Sequence, residues 1–297
     1  MASPELVSAL VPAYNHVRYV RECLDALAAQ THRPLELLIG DDASTDGTAA
    51  VIRSFIRERG GEFTRVVFEQ RTVNTGVASM LNDLIAQARG RYVFLNASDD
   101  RAAPHAIEVL LAVLEADPRV ALAVGDSIII DRDSRRVFWG VDRDTFVDES
   151  EATYRTWVEY LRSVHRPGSF DRSRFGKPGT LHRSHYIPNG KLLRRSAVLQ
   201  VGGWRAGTLE DWDLNFRLAL RYKLRYVDEV LFAYRWHEAN TMRDAARWLP
   251  LMTATEAYIA EELRNPAAWL RTLPHRDVRS GLRNRLGFGA PRNTPGG

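Results

Sequence analysis

The chain carries a single cysteine among 297 residues, so no intramolecular disulfide can brace it. Cys23 falls on a predicted helix face with Val20, Leu24 and Leu27. A small buried hydrophobe is expected there, not a nucleophile, and a reducing cytosol is compatible with it. No stretch approaches the ~18 consecutive apolar residues of a membrane span. The opening, MASPELVSALVPAY, lacks a basic leader and runs straight into a strand, so no signal peptide is expected. Glycine is missing where a dinucleotide fold needs it. The first predicted strand leads into VPAYNHV, without the G-x-G-x-x-G turn, and the G-x-G at Gly287-Phe288-Gly289 lies in the tail. A Walker A lysine motif is also absent. Dinucleotide oxidoreductases and P-loop ATPases are thereby set aside.

An excess of charge is lacking from most of the chain. The net charge is +4. From Arg243 onward nine arginines face five acids, which is also +4, so the remainder is neutral. That argues against a nucleic-acid binder with a basic body. The basic end is either a solvated tail or a contact for an anionic surface such as a membrane or an acidic acceptor. Its last ten residues, FGAPRNTPGG, are expected to be unstructured.

What is present is a regular alternation. ELVSALVPA, LELLIGDD, TRVVFEQ, RYVFLNA and VALAVGDSIIID read as strands, and helical patterns separate them. Asn15 is the expected N-cap of the first helix, and Pro104 sits near the start of the fourth. Such alternation implies βαβ units around a mainly parallel sheet. Ligands of these sheets bind beyond the C-terminal strand ends. After about residue 130 the pattern loosens. A long loop over 165–188 is expected, then a segment KLLRRSAVLQVGGW, a helix LEDWDLNFRLALRYK, a strand LRYVDEVLFAYRWH and a helix over about 244–270.

Polar residues gather at the strand ends. The first strand ends at Pro12-Ala13-Tyr14-Asn15, the second at Asp41-Asp42, the fourth at Ser98-Asp99-Asp100. Adjacent carboxylates repel, and a divalent cation would offset that repulsion. Mg2+ or Mn2+ takes one or two carboxylates together with substrate phosphates and water. Taken alone, a solvated turn or a helix-capping pair explains Asp99-Asp100 equally well. The buried strand before it, and Asp41-Asp42 on the same edge, favour the metal.

Several segments together resemble family 2 glycosyltransferases: VPAYNHVRYVRECLDALAAQTHRPLELLIGDDASTDGT, NTGVASMLNDLIAQARGRYVFLNASDD, VGGWRAGTLEDWDLNFRLA and YRWHEANT, in that order over roughly residues 6–245. The resemblance implies a GT-A fold: an α/β architecture with a Rossmann-like mixed central sheet flanked by helices, here with a C-terminal helical extension. It implies a nucleotide-sugar-binding part over 1–130, an acceptor-binding and catalytic part over 131–245, and the extension with its basic tail over 246–297. The implied activity is metal-dependent, inverting transfer of a sugar from a nucleoside diphosphate donor, UDP or dTDP favoured, to a hydroxyl of a carbohydrate or glycolipid acceptor. Synthesis of cell-surface polysaccharide or glycoconjugate in the cytoplasm, free or against the inner membrane face, would be its setting.

The resemblance also assigns residues. Pro12, Ala13, Tyr14, Asp41, Asp42, Asn74, Ser98 and Asp99 would hold the donor, with Tyr14 near the base and Asp42 accepting a hydrogen bond from it. Asp99 and Asp100 would hold Mn2+ or Mg2+, Asp100 directly. Ala97 stands where the family commonly has a further carboxylate, which reduces the ligand set, and Leu81 stands where a basic residue often precedes Asn82. Asp211, with Glu210 as partner, would be the general base; acidic residues also favour a helix N-terminus through its dipole. His237 either ligates the metal, as in some members, or serves the fold. Arg235 faces phosphate or pairs with an acid. His182, Arg183, His185 and Tyr186 line the acceptor, form a lid, or are plain surface. Trp139, Trp157, Trp204 and Trp212 offer faces for sugar stacking, although core packing is the default for each. Nucleotidyl transfer, which would want a Gly-rich basic loop after the first strand, and a non-catalytic sugar-nucleotide-binding protein are the competing readings.

Overall fold

The computed structural model describes residues 4–165 and 167–264. The first part alternates as the sequence implies: β1 (Val7–Ala13), α1 (Val20–Ala28), β2 (Leu35–Asp41), α2 (Thr48–Arg59), β3 (Arg65–Gln70), α3 (Val77–Gln87), β4 (Tyr92–Leu95), β5 (Arg101–Ala102), α4 (Ala106–Ala116) and β6 (Val120–Ile130). There follow β7 (Arg136–Trp139), β8 (Thr145–Phe146), α5 (Trp157–Val164), α6 (Pro178–Leu181), β9 (Lys191–Arg194), α7 (Arg195–Gln200), α8 (Glu210–Ala219), β10 (Lys223–Arg235) and α9 (Ala245–Arg264). The tail, its arginine excess and the end of the last expected helix lie outside the described residues.

The sheet runs β3-β2-β1-β4-β9-β6-β10-β5. β1 pairs in parallel with β2 and β4, β2 with β3, and β6 with β10. β9 is antiparallel to both β4 and β6, and β5 is antiparallel to β10. Within this row β9 and β5 are reversed, off it β7 pairs antiparallel with β6 and β8 antiparallel with β7, and helices cover both faces.

Burial explains the pattern. β2 is buried at every position and β1 at all but Pro12, as befits central strands covered on two faces. Their side chains alternate between two cores. Val7, Ala9 and Val11 point to the layer of α1, α2 and α4; Leu10 and Leu38 point to the layer of α3, α7 and α8. Val20, Cys23, Leu24 and Leu27 form the buried stripe of α1 at helical spacing. Gly40 lets α3 press onto β2, because a Cβ there would lie 2.0 Å from the Met80 sulfur. A third, aromatic core under β7, α5 and the end of β10 contains Trp139, Trp157, Tyr234 and Trp236.

Three expectations need amendment. Asn15 does not cap α1, which begins at Val20. It takes a left-handed backbone, φ 53°, and its side chain accepts from the Thr45 amide instead. The segment from Lys191 divides into a strand and a helix, and the strand is reversed. Trp139, Trp157, Trp204 and Trp212 are all buried, so they pack the cores and present no open face for stacking.

Candidate active site

The strand ends on one edge converge, and hydrogen bonds between loops fix them. Asn15 N–H donates to Ser44 Oγ at 2.8 Å, His16 N–H to Thr48 Oγ1 at 2.9 Å, and Val17 N–H to Asp46 Oδ2 at 3.0 Å. The loop after β1 is thereby zipped to the loop after β2. Pro12 and Ala13 close β1, and Tyr14 beside them is exposed. Asp42 is buried and its carboxylate gathers the next loop. It accepts from Thr75 N–H at 3.1 Å, Gly76 N–H at 2.7 Å and Arg71 Nη1 at 3.1 Å. Asn74 Oδ1 also accepts from Gly76 N–H, at 3.1 Å. Asp42 therefore fixes the entry to α3. Asp41 is buried too, yet neither of its oxygens has a partner among the described residues.

Asp99 and Asp100, though adjacent, face different surroundings. Asp100 Oδ1 accepts from the Arg235 N–H at 2.9 Å. Burial and then the charge of Asp99 raise its carboxyl well above the usual range. Asp99 turns to two histidines. Its Oδ2 lies 3.1 Å from His237 Nε2 and 3.9 Å from His16 Nε2. Burial alone would raise the Asp99 carboxyl, but the hydrogen bond from His237 and the two imidazoles outweigh it and bring it below the usual value. One carboxylate oxygen and two imidazole nitrogens lie within 4.8 Å of one another, a donor set that suits a divalent cation. The expected direct ligand was Asp100. The β10 amide engages one oxygen of Asp100, whereas Asp99 is the aspartate that lies within the histidine cluster.

Arg235 serves the fold. Fully buried, it donates to Asp99 O at 2.7 Å, Asp131 O at 3.1 Å, Ser134 Oγ at 2.8 Å and Glu22 Oε2 at 3.0 Å. The Tyr19 ring lies 4.7 Å from its guanidinium and 4.7 Å from the His237 ring. Arg235 pairs with an acid, Glu22, and braces the aspartate turn.

Glu210 and Asp211 open α8. Asp211 Oδ2 accepts from Lys191 Nζ at 2.8 Å, and the lysine is fully buried. Lys191 begins β9, in register with Leu95 at the end of β4, only a few residues before Asp99. Asp211 is thereby tied to the same sheet edge as the aspartate turn. Burial, and then the neighbouring charge of Asp211, push Glu210 up to about 7 against the pull of Lys191. The Trp212 indole N–H donates to Leu181 O at 2.7 Å and anchors α8 to α6. His185 stacks on Trp212 with ring centroids 6.0 Å apart; burial lowers it to about 4, and its Nε2 has no partner among the described residues. Leu209 N–H donates to Thr255 Oγ1 at 2.8 Å, which ties the start of α8 to α9. Across the site, Asn82 both accepts from Trp204 N–H at 2.9 Å and donates to Trp204 O at 2.8 Å. Gly203, at φ +69°, makes room for that clamp, since a Cβ would sit 2.3 Å from Asn82 Oδ1.

The structure thus gathers Ser98, Asp99, His237 and, unforeseen, His16 in one cluster, and joins Asp211 to the unforeseen Lys191. His16 lies within the segment VPAYNHV, though no role was assigned to it, and Lys191 lies outside the segments that carry the resemblance. The one signal for His16 was its place in the loop leaving the first strand. For Lys191 it was a cation at the head of an apolar strand.

Residues 8–201 match the model of the family described as Glycosyl transferase family 2. Among curated proteins, the putative glycosyltransferase EpsE of Bacillus subtilis is 30% identical over 89% of this chain and 90% of its own length. An uncharacterized protein of Mycobacterium tuberculosis is 39% identical over 78% of this chain, which spans 60% of that protein. Among solved structures, TarS 1-349 of S. aureus in complex with UDP-GlcNAc superposes with a TM-score of 0.64 at 16% identity, covering 97% of this chain and 74% of TarS 1-349. The mannosyltransferase PcManGT of Pyrobaculum calidifontis, in complex with GDP-Man and Mn2+, gives 0.56 at 18% identity over 98% and 82%. At these identities the two structures attest the GT-A fold alone.

Proposed function

The chain belongs to glycosyltransferase family 2, and we propose that it catalyses metal-dependent, inverting transfer of a sugar from a UDP or dTDP donor to a hydroxyl of a carbohydrate or glycolipid acceptor. The observation that carries this reading is the shared edge: Lys191, which holds Asp211 of α8, opens β9 opposite the end of β4, and β4 leads to Asp99, around which His16 from the end of β1 and His237 from the end of β10 gather.

The donor would lie over residues up to about 130. Tyr14, Asp41, Asp42 and Asn74, with the loops around them, frame the nucleoside. Ser98 and Asp99 adjoin the diphosphate. Asp99 would hold the cation, with His237 beside it and Asp100 buttressing the turn from behind. A divalent ion bound there would neutralise charge gathering on the leaving diphosphate. The acceptor would meet residues 131–245. Asp211 takes the proton of the acceptor hydroxyl as its oxygen bonds to the anomeric carbon. The bond from that carbon to the phosphate oxygen breaks, the nucleoside diphosphate departs, and configuration inverts because attack comes from the opposite face. Asp211 supplies the counter-charge for the fully buried Lys191, and the lysine in turn fixes the carboxylate in place. Glu210, its carboxyl pushed up to about 7 by burial and by Asp211, would contact the acceptor beside the base.

Incubating the protein with Mn2+ and a panel of sugar nucleotides tests this. Slow donor hydrolysis, speeded by an acceptor, is the expected result, and Asp211→Asn should abolish it while sparing donor binding. Binding of nucleotide with no turnover on any acceptor would leave a sugar-nucleotide-binding protein without catalysis. No helix among the described residues is long and apolar enough to cross a membrane.

A further inference from the structure

We infer that His16 is a metal ligand, replacing the carboxylate that Ala97 lacks and tuning the site toward transition-metal ions over Mg2+. This inference rests on the reading of Asp99 and its neighbours as the metal face of a glycosyltransferase.

Three observations carry it. First, His16 Nε2 lies 3.9 Å from Asp99 Oδ2, within the span that two ligands of one ion can close by small side-chain rotations. Second, the far nitrogen of the ring is already engaged. His16 Nδ1 lies 2.8 Å from Ser98 Oγ, a hydroxyl that can either accept from or donate to it. With the proton on Nδ1 and given to that hydroxyl, Nε2 presents its lone pair, the arrangement in which ligating histidines are found and the tautomer a bound cation would select. His237 is set differently: the Ala239 N–H donates to its Nδ1 at 3.3 Å, so its proton rests on Nε2 and points to Asp99. His237 is thereby cast as the group that orients Asp99, and His16 as the imidazole ready to ligate. Third, the backbone of His16 is pinned, its N–H donating to Thr48 Oγ1, while its side chain keeps 21% of its surface open for an ion to reach.

The chemistry then bears on which ion. Mg2+ prefers oxygen ligands alone and holds its water tightly. Imidazole suits later ions, and Mn2+ and Co2+ accept a mixed set of nitrogen and oxygen. A site of Asp99, His16 and donor phosphate should therefore discriminate against Mg2+ more than an all-carboxylate site would.

The test is calorimetric titration of Mn2+, Co2+ and Mg2+ into the full-length protein saturated with UDP, for the wild type, His16→Gln and His237→Gln. Circular dichroism confirms that each variant is folded. The wild type should bind Mn2+ and Co2+ at least about tenfold more tightly than Mg2+, and His16→Gln should weaken Mn2+ by about tenfold or more while moving Mg2+ little. Pulsed electron paramagnetic resonance of bound Mn2+ should show a coupled imidazole nitrogen that His16→Gln removes and His237→Gln retains. Unchanged Mn2+ affinity and an unchanged nitrogen signal in His16→Gln would overturn the inference and leave the transferase reading intact. If no ion bound, and sugar transfer persisted in EDTA, both the inference and the metal-dependent reading would fall.

Discussion

Replacing Asp211 with asparagine should harm stability more than replacing Lys191 with methionine, although the two side chains share one bond. The reason is an asymmetry of burial. Lys191 is wholly removed from water, whereas Asp211 keeps 18% of its side-chain surface exposed. Asp211→Asn leaves a buried ammonium without its counter-charge, which costs about 3–5 kcal/mol. Lys191→Met instead removes the costly buried charge along with one charge-assisted hydrogen bond worth about 1.5–3 kcal/mol, and Asp211 can turn part of itself to solvent. For a domain of this size about 2–4 °C of Tm accompanies each kcal/mol. Asp211→Asn should therefore melt roughly 6–20 °C below the wild type, and Lys191→Met clearly less far below. The double variant should recover at least about 1 kcal/mol against the sum of the single changes, as contacting residues do. Urea unfolding of the four proteins, each checked for nucleotide binding, measures the cycle. Additive effects, or an Asp211→Asn protein as stable as the wild type, would refute the claim that a buried ion pair underlies the base.

Further outcomes follow from the same edge. Glu210 titrates higher in the fold, at about 7, than in an unfolded chain, so the native state binds the extra proton and stability falls as pH rises from about 4.5 to 7. Glu210→Gln should thus match the wild type in Tm near pH 4.5 and exceed it above pH 7; a constant difference across that range would count against the shift. Asp42→Asn places amide hydrogens against the Thr75 and Gly76 N–H groups, and should cost about 1–3 kcal/mol and weaken nucleotide binding, both read by thermal shift with and without UDP. Asp41→Asn, at a buried carboxylate without hydrogen-bond partners among the described residues, should leave Tm unchanged or raise it, and a fall of more than about 1 kcal/mol would show that the charge is stabilised after all. Cys23 is fully buried, burial pushes its thiol far up, and it should resist thiol reagents until the protein is unfolded in urea.

What the sequence disclosed, and what it hid, divide along a physical line. Elements whose burial is local could be read directly. β2 is apolar for nearly its whole length because helices cover both its faces, and the stripe of α1 has helical spacing because one face meets the sheet. The carboxylates at the strand ends were legible for the same reason, since a polar residue closing a buried strand marks an edge. Partners set by long-range register were not legible. Lys191 reaches Asp211 because β9 lies against β4, with Lys191 opposite Leu95, and no periodicity near Lys191 announces a reversed strand. The division of labour between Asp99 and Asp100 depends on the amide of Arg235, 135 residues away from Asp100, so their adjacent letters could not rank them. Asn15 was misjudged because a polar residue before a helix has two uses: it can cap the helix, or, as here, knit one loop to the next.

The placement of β9 bears on how the protein is made. It lies between β4 and β6, yet it leaves the ribosome after both. Until residue 194 emerges, a growing chain carries two strands with bare edges where one strand is missing, and such edges recruit neighbouring chains. Translation that pauses or stops in the long loop before β9 should release a sticky intermediate, so solubility on expression should depend on how promptly that stretch is synthesised and whether a chaperone shields the gap.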